Sequence, residues 1–317
     1  MASDSTITTA PPRSLPVRSG VVPPICTPLT PDRQVDLPSV RRLCGFLLEA
    51  GVDGIFVGGS TGEASYLGDG TRQQVLRAVI DTVAGQVPVL AGVIDTATER
   101  VVDQAIAAQK VGADAVVATA PFYAPTHPAE MDHHFRSIAS AVQLPVIAYD
   151  IPGFVHNTLP ASVVSVLAAD GVLAGLKDSS GDLTAMRTVL DMIPADFPVF
   201  TGSETVADLG LALGARGIVP GLGNVDPHGF VRLCRAGLAG DTAAAAQEQE
   251  RLRRLFGLID AGDKNRMGQY SSAIGAFKAA LVLRGVIEHG TTSLPMIPLN
   301  DEEIAVVRSH LEEAGLS

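Results

Sequence analysis

The chain has only four lysines among its 317 residues, and Lys177 stands apart from the other three. It ends the apolar run Leu173-Ala174-Gly175-Leu176, and the turn formers Asp178-Ser179-Ser180-Gly181-Asp182 follow at once. Lys110 falls near the end of a helical pattern, Lys264 in a Gly/Asp/Asn-rich loop, and Lys278 in a C-terminal helical stretch. A buried strand end is a costly place for an ammonium, because desolvation disfavours the charged form. The neutral amine favoured in such a place is what a Schiff-base nucleophile needs. The alternative is a strand-end lysine paired with Asp178 or another acid.

Other groups that could do chemistry also follow apolar runs. Two of the four tyrosines do so, in Pro121-Phe122-Tyr123 and in Tyr149-Asp150-Ile151-Pro152. A phenol there can shuttle a proton between an intermediate and a substrate oxygen; otherwise it is a core aromatic whose hydroxyl has found a backbone partner. In Gly58-Gly59-Ser60-Thr61-Gly62-Glu63, the glycines allow close backbone approach, and hydroxyls plus free amides can hold a carboxylate. Ser60 and Thr61 could equally cap the next helix. Gly202-Ser203-Glu204 and Val219-Pro220-Gly221-Leu222-Gly223-Asn224 are open and polar enough to line a sugar-sized pocket.

The elements that must position these residues alternate along the chain. Short β-rich runs at 21–28, 54–59, 88–93, 115–120, 145–149, 172–177, 198–202 and 217–221 predict strands. Helical spacing falls between them at 38–50, 71–84, 98–111, 128–142, 160–169, 183–193, 205–213 and 227–239, with Thr71, Thr98 and Asp182 as N-caps. Alternation of this kind implies a parallel sheet covered on both faces. Eight such units predict an α/β fold, a (β/α)8 TIM barrel over residues 19–239 with its functional groups at the carboxyl ends of the strands. A doubly wound open sheet is the rival, and it would carry a G-x-G-x-x-G turn that is not found here. Gly51, Gly112 and Gly214 read as helix terminators. Residues 240–317 predict a C-terminal helical appendage, with helices at 242–259, 271–287 and 301–314. Residues 1–18 are Ser/Thr/Pro/Arg-rich and predict a mobile tail. A transit peptide is the alternative, opposed by Asp4 and by the short length.

Composition bounds the partners. The net charge of −11 argues against nucleic acid, and no apolar run approaches the ~20 residues of a membrane span. Cys26, Cys44 and Cys234 lack C-x-x-C spacing and read as reduced thiols of a cytoplasmic protein. His133 and His134 are neighbours on a predicted helix and so point apart, which opposes a metal pair. His156 either contacts substrate or caps a loop. Arg251, Arg253 and Arg254 read as a solvated or interface face.

Taken together, G-G-S-T-G-E at 58–63, Y-D-I-P at 149–152 and G-L-K-D-S-S-G-D at 175–182 resemble the dihydrodipicolinate synthase/N-acetylneuraminate lyase family, a likeness that runs from about Val21 through the C-terminal helices. The resemblance implies a class I aldolase in which Lys177 forms an imine with pyruvate or another 2-keto acid, without metal or organic cofactor. It implies that Tyr149 transfers the proton, with Ser60 in the relay and Ser60 and Thr61 on the carboxylate. Tyr123 matches a tyrosine that reaches into a neighbouring subunit's site, and Val219 a position whose backbone lines the pyruvate pocket. Gly59, Gly202, Ser203 and Glu204 complete the expected binding set, and members are usually dimers or tetramers. Two residues after the motif proline, synthases carry an arginine for the second substrate's carboxylate; here Phe154 stands there. Asp150 stands where asparagine is common, and Glu204-Thr205 does not reproduce the acidic pair of sialic acid lyases. Ser179 matches a hydroxyl used near the scissile bond. These residues predict a lyase that cleaves or forms a 2-keto-3-deoxy sugar acid, or a related 4-hydroxy-2-keto acid, through pyruvate and an aldehyde. The alternatives are 4-hydroxy-tetrahydrodipicolinate synthase and a dehydratase using the same imine.

Overall fold

The structure, a computed structural model, describes residues 14–316. Its eight strands are β1 (Gly20–Val21), β2 (Ile55–Val57), β3 (Val89–Gly92), β4 (Ala115–Thr119), β5 (Val146–Asp150), β6 (Gly175–Asp178), β7 (Val199–Thr201) and β8 (Gly217–Ile218). All pair in parallel, each with its sequence neighbour from β2 to β8, while β1 pairs with β8. The remaining gap is spanned by backbone bonds, Asp53 N to Val21 O at 2.8 Å, Phe56 N to Pro23 O at 3.0 Å and Ile25 N to Phe56 O at 2.8 Å. The sheet thus curls round in the (β/α)8 manner, with a helix after each strand.

Strand positions match the sequence reading, but several strands are shorter. The first strand starts one residue before the run at 21–28 and takes only Val21 from it, because Pro23 and Pro24 have no N–H to donate. Side chains alternate across each strand, which sorts the core into two layers. Val22, Phe56, Leu90, Val117, Ile147 and Phe200 fill the barrel interior, and the opposite faces pack against the helices. Asp182 caps its helix as expected, accepting from Thr184 N and Ala185 N. Thr71 and Thr98 do not cap. One helix begins two residues before Thr71, after Gly68. Thr98 is already helical, and its hydroxyl instead meets His134 Nδ1 at 2.9 Å.

Residues 1–13 of the expected tail lie outside the described residues. The rest of that stretch is not loose: Leu15 and Val17 are buried in the barrel-interior cluster. Helices Thr242–Phe256, Gln269–Leu283 and Asp301–Glu313 form the C-terminal part. Its anchoring face includes Ala245, Leu252, Leu255, Ile274 and Phe277.

Candidate active site

β5 and β6 decide the centre of the site. Their register sets Tyr149 beside Lys177 and Asp150 beside Asp178. Odd-numbered residues here face the interior, and even-numbered carboxylates face outward. Lys177 is 5% exposed, with Nζ 3.8 Å from the Tyr149 ring centroid and 5.0 Å from that of Phe56. Beneath it lies only carbon, from Val22, Leu90, Val117, Ile147 and Phe200. Tyr149 is 2% exposed, and its Oη lies 3.2 Å from Ser60 Oγ. Lysine, phenol and the Ser60 turn therefore meet, although they come from β6, β5 and the loop after β2.

Above them opens a cavity of about 270 Å³. Ser60, Thr61, Tyr149, Lys177 and Ser179 line it, as do Phe154, Gly202, Glu204 and Val219. A Cβ at Gly202 would come within 1.9 Å of Ser179 Oγ and 3.2 Å of Lys177 Cε, so the Ser179 side chain would have to turn away to admit one. Gly59 is buried beside the lining, where a Cβ would meet Phe56 Cε1 at 2.6 Å. Two further expected residues, like Gly59, are not in the lining. The Ser203 amide is bonded to Thr201 Oγ1 at 3.2 Å, on the loop behind Gly202. Tyr123 is 96% exposed, with φ +80°, and its ring stands away from this chain's own cavity. His156 caps the four-residue helix Pro152–Val155, which the periodicity does not reveal, and does not line the cavity.

Burial shapes the carboxyls around this centre. Glu204 is raised to about 7, chiefly by burial, against the pull of the Leu222 and Gly221 amides and of Lys177. Asp150 is raised to about 6 by burial and, less, by Asp178, although the Leu159 amide opposes this at 3.1 Å from Oδ1. Asp178 is also raised, by burial, against hydrogen bonds from Ser180. The three cysteines are free and buried, and burial pushes their thiols up to about 12. His133 is exposed while His134 is buried, and among the described residues no cluster of His, Cys, Asp and Glu could hold a metal. The arginine cluster is neutralised: Arg251 pairs with Asp226 and Glu248, and Arg253 and Arg254 with Glu250.

Sequence reasoning missed the contribution of the C-terminal helices. Tyr270 Oη donates to Ser60 O at 2.5 Å, and Phe256, Ile259, Ile274 and Phe277 form one cavity wall. The apolar spacing of these residues identified helices, and nothing in it says which barrel end they cover.

A ring of parallel strands with helices between them defines a (β/α)8 protein, and its carboxyl rim holds a buried lysine–tyrosine pair. The chain belongs to the Dihydrodipicolinate synthetase family, whose model matches residues 17–314. It is 34% identical over 297 residues to an uncharacterized DapA-like lyase of Halobacterium salinarum, covering 94% of each chain. It is 32% identical to the 4-hydroxy-tetrahydrodipicolinate synthase of Chlorobium limicola, over 94% of this chain and 98% of the relative. Among solved structures, it resembles YagE, a prophage protein of the dihydrodipicolinic acid synthase family from E. coli K12 in complex with pyruvate. The TM-score is 0.88 at 30% identity, covering 94% of this chain and 99% of that one. No helix among the described residues is long and apolar enough to cross a membrane.

Proposed function

We propose that this chain is a Schiff-base lyase that cleaves or forms a 4-hydroxy-2-keto acid, the class that includes the 2-keto-3-deoxy sugar acids, by way of pyruvate and an aldehyde. The observation that carries this reading is Lys177 Nζ buried against Tyr149, whose hydroxyl is in turn bonded to Ser60. The amine adds to the C2 carbonyl, water leaves, and a protonated imine forms. The substrate carboxylate lies against the hydroxyls and amides of the Ser60–Thr61 turn. Tyr149, left as a phenolate once its proton has gone to the departing water, takes the proton of the C4 hydroxyl, and the C3–C4 electron pair flows into the imine. An aldehyde departs and leaves an enamine, which is protonated at C3; water then hydrolyses the imine to release pyruvate. The imine is itself the electron sink, so this route calls for no metal or organic cofactor. Proton transfer by Tyr149 accounts for roughly 10²–10⁴ of the rate.

Tyr123 has a left-handed backbone and a fully presented ring. In a homodimer or homotetramer, that ring reaches into a neighbouring subunit's site and extends its proton relay. The synthase reading is favoured by the names of several relatives. It is opposed by Phe154, because losing an arginine's charge-assisted bonds forfeits about 1.5–3 kcal/mol of carboxylate binding. Dehydration of the same imine, with loss of the C4 hydroxyl, is separated from cleavage by measuring pyruvate release against loss of water.

Borohydride reduction in the presence of pyruvate tests the reading. A stable mass increase at Lys177 is expected in the wild type and not in Lys177→Ala. Equal labelling of both proteins, or of neither, refutes the imine.

A further inference from the structure

The cavity above Lys177 has two chemically different walls. Its polar groups gather on the barrel side, in Ser60, Thr61, Tyr149, Lys177 and Ser179. The facing wall, built by the C-terminal helices, is carbon: Phe256, Ile259, Ile274 and Phe277. Phe154 sits at the cavity, 51% exposed, packed edge-on against Tyr270 with centroids 5.5 Å apart.

Two polar groups of the lining, on Glu204 and Tyr270, are already engaged within the protein. Glu204 Oε1 accepts from Leu222 N at 2.6 Å, so its carboxylate orders the loop after β8. Tyr270 donates its only hydroxyl proton to Ser60 O. Lys177 is the only cation among the described lining residues, which leaves nothing to neutralise a second anionic group. A polyol tail would lay unpaired hydroxyls against this wall, whereas an aryl or branched-alkyl tail would bury its own carbon there.

We infer that the aldehyde half of the substrate is apolar, so that the preferred substrates are 4-hydroxy-2-keto acids with an aryl or branched-alkyl group on C4. The inference rests on the lyase reading above and narrows it. Phe154 and the C-terminal helices select the tail, while Lys177, Tyr149 and the Ser60–Thr61 turn handle the keto-acid end common to all members of the class.

The test is a matched pair of substrates given to the full-length wild-type chain, with pyruvate release as the readout. One is a 4-hydroxy-2-keto acid with a phenyl group on C4; the other is a 2-keto-3-deoxy-hexonate of the same C4 configuration. The phenyl compound should be cleaved with kcat/KM higher by about ten- to a hundredfold, the scale on which apolar pockets discriminate. Phe154→Arg, at a half-exposed position, should lower that preference about tenfold while pyruvate still forms its borohydride adduct at Lys177. Equal or better cleavage of the hexonate overturns the inference, as does adduct formation with turnover of neither compound. Absence of the adduct in the wild type overturns the lyase reading, and the inference with it.

Discussion

Lys278, on the C-terminal helix Gln269–Leu283, and Glu63, which ends the Gly58–Glu63 turn, form an ion pair with both side chains fully buried. Lys278 also donates to Thr291 O at 2.7 Å, and Glu63 accepts from Ser293 N at 2.7 Å. Glu63 holds φ +63°, a left-handed conformation, two residues after Thr61. The pair therefore ties the last helices to the turn assigned to the substrate carboxylate. Lys278→Met strands Glu63 as an uncompensated buried charge and should cost about 3–5 kcal/mol, whereas a Lys278→Met/Glu63→Leu double variant should lose much less. Urea denaturation of both variants and of Glu63→Leu gives the coupling. Additive losses would show that the two charges act independently.

Tyr149→Phe keeps the ring under Lys177 and removes only the hydroxyl bonded to Ser60. Its kcat should fall by roughly 10²–10⁴, with pyruvate still trapped at Lys177. Steady-state kinetics beside borohydride labelling separates proton transfer from imine formation. A kcat within a factor of about two would remove the phenol from the proton path.

Gly202→Ala places a methyl group 1.9 Å from Ser179 Oγ and 3.2 Å from Lys177 Cε. Overpacking of this kind should cost about 1–3 kcal/mol of stability. Displacement of Lys177 should also slow adduct formation. Pairing Gly202→Ala with Ser179→Gly relieves the nearer clash and should recover part of both losses, read by thermal melting and by labelling rate.

Asp150 gives a signed pH effect. Its carboxyl is raised from 3.8 to about 6, so between these values the folded chain keeps a proton that the unfolded chain has released. Stability contributed by this group therefore falls as pH rises from 3.8 to about 6, and the full penalty remains above that window. Asp150→Asn keeps the acceptor for Leu159 N and removes the charge. It should stabilise the protein at pH 7 by at most about 3 kcal/mol and flatten the acid limb. Denaturation midpoints of both proteins from pH 4 to pH 7.5 check the slope.

Tyr270→Phe deletes the bond to Ser60 O and leaves the ring in its tilted and edge-on contacts with Tyr66 and Phe154. The KM for the keto acid should rise about two- to tenfold, the weight of one hydrogen bond, with kcat nearly unchanged. A kcat loss without a KM change would instead place Tyr270 in the chemistry.

The strand-and-helix plan could be read because each unit carries its own signal. A short apolar run bounded by turn formers marks Lys177 as a strand end, and the parallel pairing follows from the alternation. Where the signal is not local, the reading fails. Leu15 and Val17 are buried, but their short apolar spacing is interrupted by proline and arginine and resembles a tail. Thr98 had the chemistry of a cap, yet its hydroxyl is bonded to His134, thirty-six residues away.

Residue type and order determined that a lysine, a tyrosine and a Gly/Ser/Thr turn stand at strand ends, because side-chain alternation and strand termination are properties of neighbouring residues. Only the tertiary structure decided that Tyr149 abuts Lys177, that Tyr123 and Ser203 stand outside the cavity of their own chain, and that an apolar helical wall faces the lysine. Those relations depend on strand register and on contacts such as Tyr270 with Ser60, 210 residues apart, which form only when the whole ring has closed and its last helices have docked.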